Sequence, residues 1–183
     1  MKDKLTVRAI SEGYRARSVY KIQEINNKFR IISKNDKVLD IGAWPGSWIQ
    51  FCLNLTKNIT GIDKKRIKKL DNVNFISADI FHEDILDKIN SKFDVVISDI
   101  APNTTGIKEL DVSMSYDLSM RSLYIAKNVL VENGNFICKI FQGDDMRFMN
   151  EVKKYFKYVK FFKPKSSKKR SREIYLIAKS FKI

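Results

Sequence analysis

VLDIGAWPGSW, residues 38–48, is the stretch on which the reading of this chain turns. Val38, Leu39 and Ile41 surround Asp40 in a short apolar run with the length and composition of a buried strand. Gly42, Pro45 and Gly46 interrupt that run, and Trp48, Ile49, Phe51 and Leu53 then resume at helical spacing. Strand, glycine loop and helix in that order form the unit that opens a nucleotide-type crevice. A dinucleotide-binding loop needs a second glycine two residues after the first, so that backbone can approach a pyrophosphate. Trp44 holds that place. The loop therefore suits a nucleoside ligand without phosphates better than a nicotinamide dinucleotide.

Outward from the loop, residues 59–63, 72–77 and 93–98 read as three further strands. Four acids, Asp40, Asp63, Asp79 and Asp99, stand at or near the ends of these runs. Asp63 follows the glycine loop by about 20 residues, where a doubly wound fold places an acid on ribose hydroxyls. Ligands of open parallel sheets bind at the carboxyl ends of strands, and acids gathered there in a basic chain suit a cationic ligand. Asp79 has a plainer reading as a turn or cap residue ahead of Ile80, Phe81 and His82. Residues 64–69 read as a basic helical start and 106–112 as a loop. Leu118, Ile125, Ala126 and Val129 mark a long helix that stops at Asn133 and Gly134.

At 183 residues and 44% hydrophobic, the chain is long enough for one well-buried core and short for two, so a single domain over residues 1–183 is expected. Its formal net charge of +14 favours a polyanionic partner such as nucleic acid. Cys52 and Cys138 each sit in an apolar run without metal-ligand or disulfide spacing, and read as core residues of a reducing, intracellular compartment. His82 is the single histidine, so no metal site is expected. No stretch approaches the roughly 18 apolar residues of a membrane span, and the first residues lack a signal-peptide core. A removed transit segment is left open, as is the choice between cytoplasm, nucleolus and mitochondrion.

Three segments carry further signals. GYRARSVYK, residues 13–21, runs into a helix with Val19, Ile22, Ile25 and Phe29 on one face, and Arg15, Arg17 and Lys21 fall off that stripe. In NFICKIFQG, residues 135–143, Lys139 interrupts Phe136, Ile137, Cys138, Ile140 and Phe141, where a parallel strand should be apolar on both faces. A strand-end lysine reaching solvent is the plain alternative. Finally, residues 156–163 and 172–179 pair as a hairpin at one sheet edge. From residue 152 to 172 the chain has Lys153, Lys154, Lys157, Lys160, Lys163, Lys165, Lys168, Lys169, Arg170 and Arg172 without a single acid. A uniform lysine bias does not segregate charge in this way, so the segment reads as a phosphate-binding surface.

The loop pattern D-x-G-x-x-P-G-x-W, the S-D-x-A-P-N at Ser98 to Asn103, the R-x-R-S-x-x-K ending at Lys21, the K-x-F-Q-G at Lys139 and the terminal K-P-x-S-S-x-x-R-S-R-E together resemble the FtsJ-like RNA 2'-O-methyltransferases. The resemblance runs from Gly13 to Lys179. It implies an α/β, Rossmann-like S-adenosylmethionine (SAM) methyltransferase fold: a mostly parallel seven-stranded sheet with an antiparallel C-terminal strand and helices on both faces. It places a catalytic tetrad on Lys21, Asp99, Lys139 and Glu173. SAM contacts fall on Asp40, Gly42, Pro45, Gly46, Trp48, Asp63, Asp79 and Asp99. Asn103 stands where methylases of base amines carry an aromatic, which favours a sugar hydroxyl as acceptor. Ser47 departs from the second glycine of many ribosomal RNA members.

The implied reaction is in-line transfer of the SAM methyl to a ribose 2'-hydroxyl by a monomer, with a uridine of large-subunit ribosomal RNA as the leading substrate and transfer RNA as the alternative. Lys139 either removes the hydroxyl proton or orients the hydroxyl. A non-catalytic RNA-binding module and a nicotinamide oxidoreductase are the rival classes. The tetrad residues speak against the first, and Trp44 with the basic terminal segment against the second. RNA affinity should fall steeply with salt: six phosphate contacts lose about 10³ between 50 and 200 mM. A filter-binding salt titration measures that slope.

Overall fold

Val38, Leu39 and Ile41 are fully buried, as a central strand covered on both faces requires. Odd and even positions part to opposite faces of the sheet, and the core divides accordingly. The computed structural model describes residues 3–182. The expected absence of a leader includes Met1 and Lys2, which lie outside those residues. The strands are β1 (Val38–Ile41), β2 (Ile59–Asp63), β3 (Val73–Ser77), β4 (Phe93–Ser98), β5 (Leu130–Phe141), β6 (Phe156–Phe162) and β7 (Glu173–Phe181). They form one sheet in the order β3-β2-β1-β4-β5-β7-β6. Pairing is parallel from β3 across to β5, and β7 runs antiparallel to both β5 and β6.

One face is covered by α2 (Val19–Phe29) and α3 (Ser47–Leu53), whose Ile22, Ile25, Trp48, Ile49 and Cys52 pack on Val38, Val95, Ile97, Ile137, Tyr175 and Ile177. The other carries α4 (Ile85–Ile89), α5 (Lys108–Val129) and α6 (Asp145–Lys153) over Leu39, Ile41, Val96, Phe136, Cys138, Leu176 and Ala178. Cys52 and Cys138 are both free and buried. A short α1 (Lys4–Ser11) not foreseen from sequence packs Ala9 against Val19 and Tyr20. It starts on Asp3, whose carboxylate accepts the Thr6 amide at 3.1 Å.

Three sequence expectations need correction. Residues 64–69 form no helix. Lys64 and Lys68, like Lys65 and Lys69, would be like-charge neighbours one turn apart, and Ile67 and Leu70 are packed against the core with Val73 and Phe75 instead. Residues 108–112 belong to α5 rather than to a loop. Glu109 and Asp111 in its first turn favour a helix start there. The long helix ends at Val129, and Asn133 and Gly134 form a bulge. Phe93 pairs with Leu130 and Val95 with Asn135, so residues 131–134 loop out of the ladder with Asn133 at φ 61°.

The turn after β1 depends on Gly42, whose φ is +77°. A Cβ there would lie 2.7 Å from Ile100 Cβ. Gly106 also has a positive φ, +88°, but open space around it. Gly106→Ala should therefore cost about 1–2 kcal/mol of backbone strain. Gly42→Ala should cost a further 1–3 kcal/mol or so from overpacking. Thermal melts of the two variants, at roughly 2–4 °C per kcal/mol for a chain of this size, give the comparison.

Candidate active site

Register explains how distant residues meet. Asp40 pairs with Ile97 across β1 and β4, which sets Asp99 one residue beyond the end of the β1–β4 ladder. Lys139 of β5 stands opposite Tyr175 of β7, and Phe141 opposite Glu173. Alternation puts Lys139 on the face of Ile137, and Glu173 and Tyr175 on the face of Ile177. This is the face covered by α2, which carries Lys21. Two serines of α5 secure the end of β5: Ser115 Oγ accepts the Phe141 amide at 3.0 Å, and Ser119 Oγ lies 3.0 Å from the Lys139 carbonyl.

Lys21, Asp99, Lys139 and Glu173 come together as two ion pairs. Lys139, 7% exposed, has its Nζ 2.9 Å from Asp99 Oδ1 and also donates to the Asp99 carbonyl. Lys21 Nζ lies 2.6 Å from Glu173 Oε1. Tyr175, fully buried, joins the pairs. Its hydroxyl donates to Asp99 Oδ1 at 2.6 Å, and Lys21 Nζ stands 5.8 Å from its ring centroid. Burial pushes the Asp99 carboxyl up, but Lys139, Lys21 and the Tyr175 hydroxyl outweigh it and hold the group below its ordinary value. Burial, followed by the charge of Asp99, pushes the Tyr175 phenol well above its ordinary value and keeps it a neutral donor. Tyr175 escaped the sequence reading, because its role depends on an antiparallel register between segments far apart in the chain. Lys21 lies off the apolar stripe of α2, as read, yet it is buried by this pairing.

The second half of the site lies at the ends of β1, β2 and β3. Asp40 is 1% exposed and neither carboxylate oxygen has a partner. Burial, then Asp99 and Asp63, push its carboxyl well above the ordinary value. Asp63 accepts the Trp44 amide at 3.0 Å and the Lys65 amide at 2.8 Å, tying the glycine loop to the segment after β2. A carboxylate has about four lone-pair positions, so Asp63 retains capacity for ribose hydroxyls. Asp79 receives the Phe81 amide at 3.0 Å and Lys64 Nζ at 2.7 Å, so the turn-forming role holds for it. Gly46 has φ +106° and caps α3, and its Cα is packed against Arg15.

Trp48 lies in the first turn of α3. Its indole is buried, donates to the Ser18 carbonyl at 2.9 Å and lies 5.8 Å from the Tyr175 ring. That side chain braces the core beneath the site. Arg15 and Arg17, two basic residues whose place the sequence left open, are structural. Arg15 donates to the Pro45 carbonyl at 3.2 Å, and Arg17 pairs with Asp3 at 2.7 Å and donates to the Ser166 carbonyl. Among the described residues no three metal-ligating side chains gather, and no helix is long and apolar enough to cross a membrane.

An orphaned buried carboxyl beside Asp63 and Asp99, under a glycine turn without room for a Cβ, fits a ligand that brings positive charge. Without it, ionising Asp40 costs stability. Its folded pKa is raised, so stability is full below the ordinary value near 3.8 and declines as pH rises through the window above it. Asp40→Asn should therefore raise the melting temperature of the ligand-free protein at pH 7 and remove that decline, read by melts from pH 4 to 8.

The FtsJ-like methyltransferase family model matches residues 14–181. The ribosomal RNA large subunit methyltransferase E of Archaeoglobus fulgidus is 42% identical over 179 residues, covering 96% of this chain and 94% of that one. The protein of the same name from Borreliella afzelii is 44% identical over 188 residues, covering 99% of each. A crystal structure from Plasmodium falciparum assigned as a ribosomal RNA methyltransferase superposes with a TM-score of 0.82 at 35% identity, covering 92% of this chain and 98% of that one. With the tetrad assembled and the family model spanning nearly its whole length, the chain belongs to the FtsJ-like methyltransferases.

Proposed function

We propose that this protein transfers the methyl group of SAM to a ribose 2'-hydroxyl of RNA, with a uridine of large-subunit ribosomal RNA as its target. The observation that carries the reading is the paired arrangement of Lys21, Glu173, Asp99 and Lys139 around Tyr175. Bound SAM supplies an electrophilic methyl and a neutral thioether leaving group. Asp40, Asp63, Asp79 and the turn from Gly42 through Pro45 to Gly46 hold it. Of these, Asp40 offers unpartnered oxygens to a cationic group, and Asp63 offers its remaining acceptor positions to ribose. Trp48 supports the loop with its indole and offers SAM its backbone amide in the first turn of α3.

The Lys139 ammonium has three N–H donors. Two of them go to the Asp99 carboxylate and carbonyl. Loss of the third proton to solvent leaves a lone pair facing the 2'-hydroxyl, and the neutral amine takes the hydroxyl proton as the new bond to carbon forms and the thioether leaves. Tyr175 holds Asp99 in place from the other β5 neighbour. Lys21 adds positive charge near Asp99, and Glu173 compensates it. The names of the relatives favour ribosomal over transfer RNA, and the terminal basic segment supports a nucleic-acid substrate. Lys168, Lys169 and Arg170 are exposed on a loop anchored to α2, where Glu24 accepts the Lys165 and Ser166 amides at 2.6 and 2.8 Å.

Lys139→Ala should lower the methyl-transfer rate on the order of 10² to 10⁴ with SAM affinity retained. Lys139→Arg should fail by a similar factor, since arginine keeps the charge but cannot accept the proton. Near-normal turnover in Lys139→Arg would reduce Lys139 to a positioning residue.

A further inference from the structure

The sheet ends at β3, and the segment that leads into it is the second concentration of positive charge in the chain. Lys64, Lys65, Arg66, Lys68 and Lys69 are all exposed, and Asp71 is the one acid among residues 64–72. Among the described residues, Lys64 alone of these is paired with a carboxylate, that of Asp79. Between this segment and β3 lies a hollow of about 250 Å³. Half-buried Ile67, Leu70, Val73 and Phe75 line it, with exposed Arg66 and Lys69 beside them. A pocket for a whole small molecule starts at roughly 300 Å³, so this one suits a single planar ring system with charge at its margin.

Hydrogen bonds tie the segment beside the hollow to the cofactor loop, and the neighbouring arginine to the terminal basic loop. Arg15 links the Pro45 carbonyl to the Lys69 carbonyl, at 3.2 and 3.4 Å. Arg17, two residues on, reaches Ser166 of the terminal loop. Lys65 Nζ stands 4.8 Å from the ring centroid of Trp44, which is 53% exposed. Val73, Phe75 and Gly61 share the sheet face of Asp40 and Lys139. Exposed cations thus stand at two places, residues 168–170 and residues 64–69, joined by the structural arginines Arg17 and Arg15, with the exposed Trp44 ring beside the second. Polyanions with aromatic bases match that pattern: Lys and Arg take phosphates, and rings such as Phe75 and Trp44 take bases by stacking.

We propose that the 64–70 segment and the β3 edge form a second RNA-binding site, at which one base of the substrate strand enters the hollow over Phe75 while Arg66 and Lys69 hold its flanking phosphates. The proposal rests on RNA being the substrate and adds a contact on the far side of the cofactor loop from the terminal segment. The strand would be held at two points with the reaction centre between them. Asp63 and Asp79, the acids expected to hold SAM, do not line the hollow.

The test measures affinity of the full chain for a fluorescein-labelled single-stranded oligouridylate as a function of salt, with SAM affinity alongside. Arg66→Gln with Lys69→Gln should lower the salt slope by about 1.4, at roughly 0.7 per lost contact on a single strand, and leave SAM affinity unchanged. Phe75→Leu, which keeps the apolar packing, should weaken oligonucleotide binding about fivefold or more at constant slope. Lys168→Gln with Lys169→Gln serves as the reference pair. An unchanged slope in the Arg66/Lys69 variant, with a reduced slope in the reference pair, would overturn the second site and leave RNA binding by the terminal loop intact. Unchanged slopes in both would overturn the phosphate role of the terminal loop as well. Loss of SAM affinity in the Arg66/Lys69 variant would assign the hollow to the cofactor instead.

Discussion

A lysine ammonium inside a sheet that is apolar on both faces has to be compensated, and the compensation of Lys139 governs how this molecule is put together. Removing one partner of a buried pair leaves an uncompensated charge, at a cost of several kcal/mol. Lys139 therefore requires β4 to end so that Asp99 presents both its carboxylate and its carbonyl. It requires β7 to enter antiparallel beside β5, so that Tyr175 arrives opposite and donates to the same carboxylate. Glu173, two residues earlier on the same face, then needs its own cation, and α2 supplies Lys21. The insertion of β7 between β5 and β6 is in this sense part of the candidate active site.

Charge is divided sharply between the inside of the cleft and its surroundings. The chain is strongly basic overall, yet Asp40, Asp63, Asp79 and Asp99 collect at the carboxyl ends of β1 to β4. Three of the four are engaged: Asp63 by backbone amides, Asp79 by Lys64, Asp99 by Lys139 and Tyr175. Asp40 alone is buried with nothing to bond. A fold tolerates such a group where function requires it, and in the proposed reaction Asp40 faces a cationic group of the cofactor. A field that is positive outside and negative at one interior point draws RNA to the surface and a sulfonium compound to the cleft.

Much of this was legible from residues alone. The short strands β1, β2 and β4 were readable to the residue, because continuous apolar runs bounded by glycine or acid have few other readings. The acids at their ends followed from the same runs. What escaped depended on interactions between distant segments. The helix expected at residues 64–69 fails because its apolar residues pack on β3 and its lysines repel one another. Asn133 and Gly134 signal a helix stop and a bulge alike, and the β4–β5 pairing decides for the bulge. Tyr175 carries no signal of its own in the sequence, because its role depends on the β5–β7 register that sets it against Lys139. The bracing role of the Trp48 indole likewise depends on partners far away in the chain, the Tyr175 ring and the Ser18 carbonyl.

The reaction proposed for this tetrad, methylation of a ribose of large-subunit ribosomal RNA, is tested by transfer of labelled methyl from SAM to unmethylated large-subunit ribosomal RNA, free and in assembled subunits, followed by alkaline hydrolysis and nucleotide mapping. Label in an alkali-resistant dinucleotide at one uridine, the signature of a 2'-O-methyl group, is the expected result. Label on a base, or transfer to transfer RNA in preference to ribosomal RNA, would contradict it.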